Sequence, residues 1–227
     1  MIGMAAAMAQ PWEPVPHSEI IKWPVDAVQT PDGALWIAAA PQVYRYDGRR
    51  FETFGESQGL ISRGAMYLAV DGTGAVLAGT TEGLFRMEGG QFRRIFEGMV
   101  RFVAVSEAGL VAISTGEGKL ILGKEVGKIW KWHRVETPRA VWGQVSFDRH
   151  GAMLFGCAES ICEVAADQAK DWSSLSIKNI RRTRPRLSQQ HLRVKGIVIL
   201  GVGRDRWGRI WMRRCRSLTK PPRRIAT

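Results

Sequence analysis

The apolar residues of this chain fall in short alternating runs cut by glycine-rich turns. Between Met66 and Ile95 four such runs follow one another. Met66-Tyr67-Leu68-Ala69-Val70 ends at the turn Asp71-Gly72-Thr73-Gly74. Ala75 to Ala78 ends at Thr81-Glu82-Gly83, and Leu84-Phe85-Arg86-Met87 ends at Glu88-Gly89-Gly90. Gln91 to Ile95 closes the unit. Short runs bounded by Gly, Asp and Thr predict strands, and the spacing of three and four that an amphipathic helix needs is absent. Turns this tight join antiparallel neighbours, so the unit predicts one four-stranded sheet.

The unit recurs. Gly33, Trp36, Tyr44, Arg45, Gly48 and Phe51 each have a counterpart at one fixed offset, in Gly74, Leu77, Phe85, Arg86, Gly89 and Phe92, with no gap. Weaker copies follow around Gly109, Gly151 and Gly208. One four-stranded sheet cannot bury both of its faces, whereas radial stacking of such sheets can. A period of roughly 40 residues is the signature of that arrangement. The predicted fold is all-β: a partial β-propeller of about four to five four-stranded blades, with an irregular basic C-terminal segment. Residues 1–24 read as a lead-in, 25–175 as the blades, and 176–227 as a basic segment with a partial fifth repeat. Blades are expected at 25–54, 66–96, 100–135 and 141–172. The recurring aromatics Trp36, Tyr44, Phe51, Phe85 and Phe92 are expected to pack between blades.

These residues carry a resemblance. The pattern Asp-x-x-Gly-x-Leu-Trp-Ile, then Gly-Leu-(Phe/Tyr)-Arg-(Tyr/Met)-(Asp/Glu)-Gly, then Phe, resembles the two-component regulator propeller repeat. Gln58-Gly59-Leu60-Ile61-Ser62 is similar to that family's inter-blade linker. The fourth copy keeps Asp148 and Gly151 but loses the Trp, and the fifth, Asp205 to Arg213, matches again. The resemblance implies a non-catalytic, ligand-binding sensor module of a hybrid histidine kinase or a membrane-bound diguanylate cyclase. It implies a periplasmic location, and as partners further blades and a signalling domain outside this chain. Such rings usually close with more blades than are visible here, so the chain reads as a truncated member.

Charge sharpens the division. The formal net charge is +12. Residues 176–227 hold 16 lysines and arginines against one acid, Asp205, whereas the chain before them holds 17 against 20 acids. The high isoelectric point therefore belongs to the tail, and no nucleic-acid binding is expected from the propeller body. The runs Ile180 to Arg186 and Thr219 to Arg224 read as a solvated tail or the end of a damaged gene; a nucleic-acid arm is the alternative. Ala7-Met8-Ala9 before Gln10 fits the cleavage site of a signal peptide whose start lies upstream; a disordered Ala-rich start is the alternative. Cys157 and Cys162 could face each other across a hairpin, but small packed residues are the expectation. Cys215 has no evident partner, and no Cys/His spacing fits zinc.

Candidate chemistry is sparse. His17, His133, His150 and His191 read as surface residues, and no catalytic residue, metal site or cofactor is expected. An enzymatic alternative, a propeller lyase or lactonase-type hydrolase, would need acids or histidines on the inner strands. Those strands offer only Asp26 and Gln144. The linkers are more informative. Lys22 and Arg63 each precede a turn glycine by eleven residues, Arg101 precedes Gly109 by eight, and Arg139 precedes Gly151 by twelve. In a propeller those linkers meet at the mouth of the channel, where converging cations favour an anion. Trp142 beside Arg139 could stack on a sugar ring. The predicted ligand is an anionic oligosaccharide or another small extracellular molecule, held by Lys22, Arg63, Arg101, Arg139 and Trp142.

Overall fold

The glycine turns behave alike wherever they are seen. Gly33, Gly74, Gly109 and Gly151 have φ of 87°, 88°, 74° and 85°, a left-handed backbone that glycine adopts without steric cost. Each donates its N–H to the carbonyl three residues back, on Thr30, Asp71, Ser106 and Asp148. Each of those four residues donates in turn to the carbonyl four residues on. Asp71 and Asp148 tie the turn with a side-chain oxygen that accepts from Ala75 N and Ala152 N, and Ser106 does the same for Leu110. The first repeat has Thr30 at that place, and Asp32 takes over by accepting from Ala34 N. One local geometry is thus built four times from three side-chain chemistries.

The computed structural model describes residues 15–177, apart from 65, 138–139, 142, 158–159 and 176, together with 181–183, 200–204 and 210–213. The chain divides into two units, Met1–Arg184 and Pro185–Thr227. The first unit holds four antiparallel four-stranded sheets, each paired in chain order. The first sheet is β1 (Asp26–Gln29), β2 (Leu35–Ala39), β3 (Gln42–Tyr46) and β4 (Phe51–Phe54). The second is β5 (Tyr67–Val70), β6 (Val76–Gly79), β7 (Gly83–Glu88) and β8 (Gln91–Glu97). The third is β9 (Val100–Val105), β10 (Val111–Thr115), β11 (Leu120–Val126) and β12 (Ile129–Val135). The fourth is β13 (Val145–Phe147), β14 (Met153–Cys157), β15 (Ser160–Val164) and β16 (Arg181–Thr183), with a short helix α1 (Ala166–Lys170) between β15 and β16. The second unit contains β17 (Leu200–Arg204) paired with β18 (Ile210–Arg213).

The sheets meet along their first strands: β1 lies beside β5, β5 beside β9, and β9 beside β13. Each second strand also touches the first strand of the next sheet. The sheets therefore converge at their first strands, which is the blade geometry of a β-propeller. Each sheet has a leading face toward the preceding blade and a trailing face toward the following one. Strand alternation sorts side chains between them. Trp36, Ala38 and Val43 trail from blade 1 and pack with Leu68, Val76, Ala78, Phe85 and Phe92 on the leading face of blade 2. Leu77 and Leu84 trail from blade 2 onto Val103, Val111 and Ile113 of blade 3. Leu110, Ala112 and Leu122 trail from blade 3 onto Met153, Phe155 and Cys162 of blade 4. Of the recurring aromatics, Trp36, Phe85 and Phe92 are buried in this packing, whereas Tyr44, buried, and Phe51, half-buried, belong to a separate cluster with Ile37 and Ala39 on the leading face of blade 1, so they do not pack between the described blades as expected.

The linker Gln58-Gly59-Leu60 seals a joint. A 3-10 turn over Glu56–Gln58 ends at Gly59, whose φ is 79°. A Cβ there would lie 2.5 Å from the carbonyl oxygen of Phe92, so no larger residue fits. Leu60 then drops into the core between blades 1 and 2.

Two findings depart from the sequence reading. Cys162 is disulfide-bonded as well as buried, where small packed thiols were expected. The ladder pairs Cys162 with Phe155 and Cys157 with Ser160, one diagonal step apart, which is the hairpin relation noted above. The fourth blade also takes its outer strand from the basic run: Arg181, Arg182 and Thr183 pair with Glu163, Cys162 and Ile161. An outer strand needs only one ladder partner, and a basic run satisfies that as well as any other sequence. The proposed cleavage site at Ala7 to Gln10, Cys215, the fifth turn at Asp205 to Gly208, and most of the basic segment lie outside the described residues.

Candidate functional site

The predicted cation rim is built by the linkers that feed the inner strands. Lys22 and Arg63 occupy the same place in successive repeats, and both are exposed. The linker carrying Arg63 is pinned to the β6–β7 turn, because Arg63 N donates to Thr81 Oγ1 at 3.1 Å. Its side chain is 86% exposed and its Nε lies 3.9 Å from Glu82 Oε1, a long and screened pairing. Arg101 is also exposed and sits within β9 itself. Arg139 and Trp142 lie outside the described residues. Trp23, beside Lys22, is 71% exposed and has a left-handed backbone with φ of 55°.

The inner-strand acid has a different task. Asp26 Oδ2 accepts from Leu68 N of the next blade at 2.7 Å, and Oδ1 accepts from Ala27 N at 2.9 Å. Burial raises its pKa, and the two backbone donors oppose that rise without cancelling it. The carboxylate is therefore a stitch between β1 and β5. Gln144, the other polar inner-strand residue singled out above, is exposed, and its carbonyl accepts from Gly156 N at 3.2 Å. Among the described residues no group of three or more His, Cys, Asp or Glu converges as a metal site would require. His133 lies on β12 with Nε2 3.0 Å from the Leu175 carbonyl oxygen.

A cleft that the sequence reading did not foresee lies at the opposite strand ends. Its volume is about 290 Å³. The β1–β2 turn contributes Thr30, Pro31 and Asp32, the β5–β6 turn contributes Thr73 and Gly74, and Trp36 and Met87 lie along it. The Trp36 indole N–H is buried and has no acceptor. The repeat carried a signal for this cleft, since turns one period apart end on adjacent sheets. Pro31 accordingly lies against Gly74, 3.3 Å from where a Cβ would stand.

Two arginines of the repeat serve these turns. Arg86 Nε donates to Asp71 Oδ2 at 2.7 Å, and its Nη1 donates to Glu88 Oε1 at 2.8 Å. Both partners of the first pair are nearly buried. Burial pushes the Asp71 carboxyl up, but the Thr73 hydroxyl, Arg86 and two backbone N–H groups together bring it below the usual carboxylate range. Arg45 repeats the contact with Asp32 at 3.1 Å, in the open. The Thr30 hydroxyl, the Ala34 N–H and Arg45 hold the Asp32 carboxyl low.

No protein-family model and no curated protein matches the sequence. Solved structures do. The extracellular domain of the hybrid two component system BT4673 from B. thetaiotaomicron superposes with a TM-score of 0.54 at 17% identity, over 83% of this chain and 26% of that one. Virginiamycin B lyase from Staphylococcus aureus gives 0.52 at 13% identity, over 68% of this chain and 55% of the lyase. A gluconolactonase from Xanthomonas campestris gives 0.52 at 12% identity, over 63% and 59%. This chain thus spans a quarter to six-tenths of the length of these structures. A two component system's extracellular domain and two enzymes alike share its architecture, and the first unit of this chain is part of a β-propeller.

Proposed function

We propose that this chain is a ligand-binding, non-catalytic part of an extracytoplasmic sensor propeller, and that the linker rim receives an anionic ligand, an anionic oligosaccharide above all. Lys22, Arg63 and Arg101 hold the anion, joined by Arg139 and Trp142 of the fourth repeat's linker. The carrying observation is that Lys22 and Arg63 stand at one position of successive repeats, exposed, each leading into an inner strand. Cations presented in register on converging strands sum their fields toward a shared point. The reading is supported further by Asp26, the inner-strand carboxylate, which uses both oxygens on backbone N–H groups and so serves the joint between blades. Further blades and a signalling domain on a longer chain would turn occupancy of the rim into a change of packing. Among the described residues no helix is long and apolar enough to cross a membrane.

Titration calorimetry with an oligosaccharide of uronic acids tests this, with the neutral sugar of equal length as control. Lys22→Glu and Arg63→Glu should each weaken binding by about 10-fold, with a shallower dependence on salt. Equal affinity for the charged and neutral sugars, or for wild type and both variants, would sink the reading.

A further inference from the structure

The outer hairpin of blade 3 outruns its sheet further than those of blades 1 and 2. In blade 1 the β2–β3 ladder runs to Leu35 and Tyr46, the last residue of β3. In blade 2 the β6–β7 ladder ends at Leu77 and Arg86, and β7 and β8 pair for two rungs more. In blade 3 the β10–β11 ladder ends at Val111 and Gly123, and β11 and β12 pair for three rungs more. Those rungs are Lys124 with Lys131, Glu125 with Trp130, and Val126 with Ile129. They make about 10 Å of two-stranded ribbon with no third strand paired to it. Gly127, at φ of 68°, and Lys128 close the turn.

Strand alternation gives the ribbon two unlike faces. One is braced on blade 2. Trp130 and Trp132 stack with ring centroids 5.4 Å apart, Trp132 Nε1 donates to the Ile95 carbonyl of β8 at 3.0 Å, and the Trp132 ring meets Phe96 edge-on. Gly123 makes room for this, since a Cβ there would stand 2.1 Å from the Trp132 ring. The other face carries Val126 and Ile129 opposite each other, 47% and 68% exposed, with Lys124 opposite Lys131 one step behind them. Lys128 stands on their far side, in the turn. The corresponding hairpins neutralise their own charge: Asp47 pairs with Arg50, and Glu88 with Arg86 and Arg93. Among the described residues none of the three lysines has a carboxylate partner, and Glu125 belongs to the braced face. Like charges directly across a ladder weaken a hairpin, so Lys124 and Lys131 do not serve the ribbon itself.

We propose that the tip of the β11–β12 hairpin docks on an anionic lipid surface. Val126 and Ile129 enter the headgroup boundary, and Lys124, Lys128 and Lys131 meet the surrounding phosphates. Lysine stems are long enough to lie along the apolar layer while the ammonium reaches a phosphate. A bilayer offers apolar and anionic chemistry in one plane and needs no shaped socket, which suits a projecting tip. Protein partners are gripped chiefly through Trp, Tyr and Arg, and the free face of this tip has none. The hairpin lies at the strand ends opposite the linker rim, so this docking and occupancy of the rim stand or fall separately.

Co-sedimentation of the full 227-residue chain with vesicles of equal parts phosphatidylglycerol and phosphatidylcholine tests the proposal, with pure phosphatidylcholine as control. The basic residues 176–227 attract the same lipid, so the hairpin variants decide. Val126→Ser with Ile129→Ser should weaken binding about 10-fold. Lys124→Gln with Lys131→Gln should weaken it about 30-fold. None of these four side chains is buried, so circular dichroism should stay unchanged. Ile129→Trp should add emission that lipid brominated high on its acyl chains quenches. Binding by both double variants equal to that of wild type would overturn the proposal and assign the lipid to the basic segment. Added emission that the brominated lipid leaves unquenched would overturn it as well. So would a wild-type chain that ignores the charged vesicles; its retention on polyglutamate, lost in Lys124→Gln with Lys131→Gln, would then assign the tip to an acidic polypeptide.

Discussion

Blades 1 and 2 hold the same kinds of side chain at the same places, and their leading faces live in different surroundings. Met66 is fully buried and Val25, its counterpart one repeat earlier, is 44% exposed. The alternation that puts both on a leading face is local. The burial is supplied by the neighbour, which blade 2 has in blade 1. The inner-strand position shows the same contrast in polar form. Asp26 bonds Leu68 N across the first joint, while Tyr67, one repeat on, packs its ring 4.4 Å from that of Phe102 across the second. One site in the repeat can thus be joined by a carboxylate or by an aromatic pair.

Substitutions at matched positions sharpen this contrast. Trp36→Ala should have the largest effect, about 3–5 kcal/mol in urea denaturation, because it empties the trailing side of the first joint. Trp36→Phe should stay within about 1 kcal/mol of wild type, since removing a buried N–H without an acceptor offsets part of the lost packing. If the two substitutions cost the same, the orphaned indole has no energetic weight. Met66→Ala should cost about 3 kcal/mol and Val25→Ala less than about 1 kcal/mol in dilute protein. Equal costs would mean that the leading face of blade 1 is covered as fully as that of blade 2.

The ion pairs of the two turns come next. Arg86→Ala leaves Asp71 nearly buried and unpaired, at a cost of about 3 kcal/mol, whereas Arg45→Ala at the exposed counterpart should cost under about 1 kcal/mol. The Asp71 carboxyl is lower in the folded protein than in the unfolded chain. Its contribution is therefore present above the unfolded value and is lost as pH falls through the folded one. Arg86→Ala should flatten the acid limb of the stability profile, and an unchanged limb would assign acid unfolding to other groups. Asp26 has the opposite sign and the smallest effect. Its pKa is raised by burial, so its charged form weighs against folding above the folded value and that cost is relieved as pH falls through it. Relative to Asp26→Asn, wild type should gain stability between pH 7 and pH 4, by less than about 1 kcal/mol; a loss over that range would mean that the backbone donors outweigh desolvation.

Much of the fold was legible because its determinants are short-range. A turn glycine at φ near 85° and a capping oxygen are properties of four or five consecutive residues, and they repeat with the sequence. Strand pairing in chain order followed from the tight turns. The outer strand Arg181–Thr183 was harder to read, because α1 and several further residues separate it from β15. The cation rim was legible as a spacing, and the structure adds that Arg63 is anchored through its backbone to the β6–β7 turn while its guanidinium stays in water. Of the Trp36 cleft the sequence carried only the recurrence of the two turns; that they leave a cavity between them depends on how adjacent sheets pack.

The sequence by itself determined the repeat, its strands and turns, and which residues share a face, because backbone conformation and alternation are decided over a few residues. Only the tertiary structure decided which of those faces is covered and whether an acid stitches two blades or meets solvent. Those outcomes depend on the surface that a neighbouring sheet brings, and no single repeat contains it.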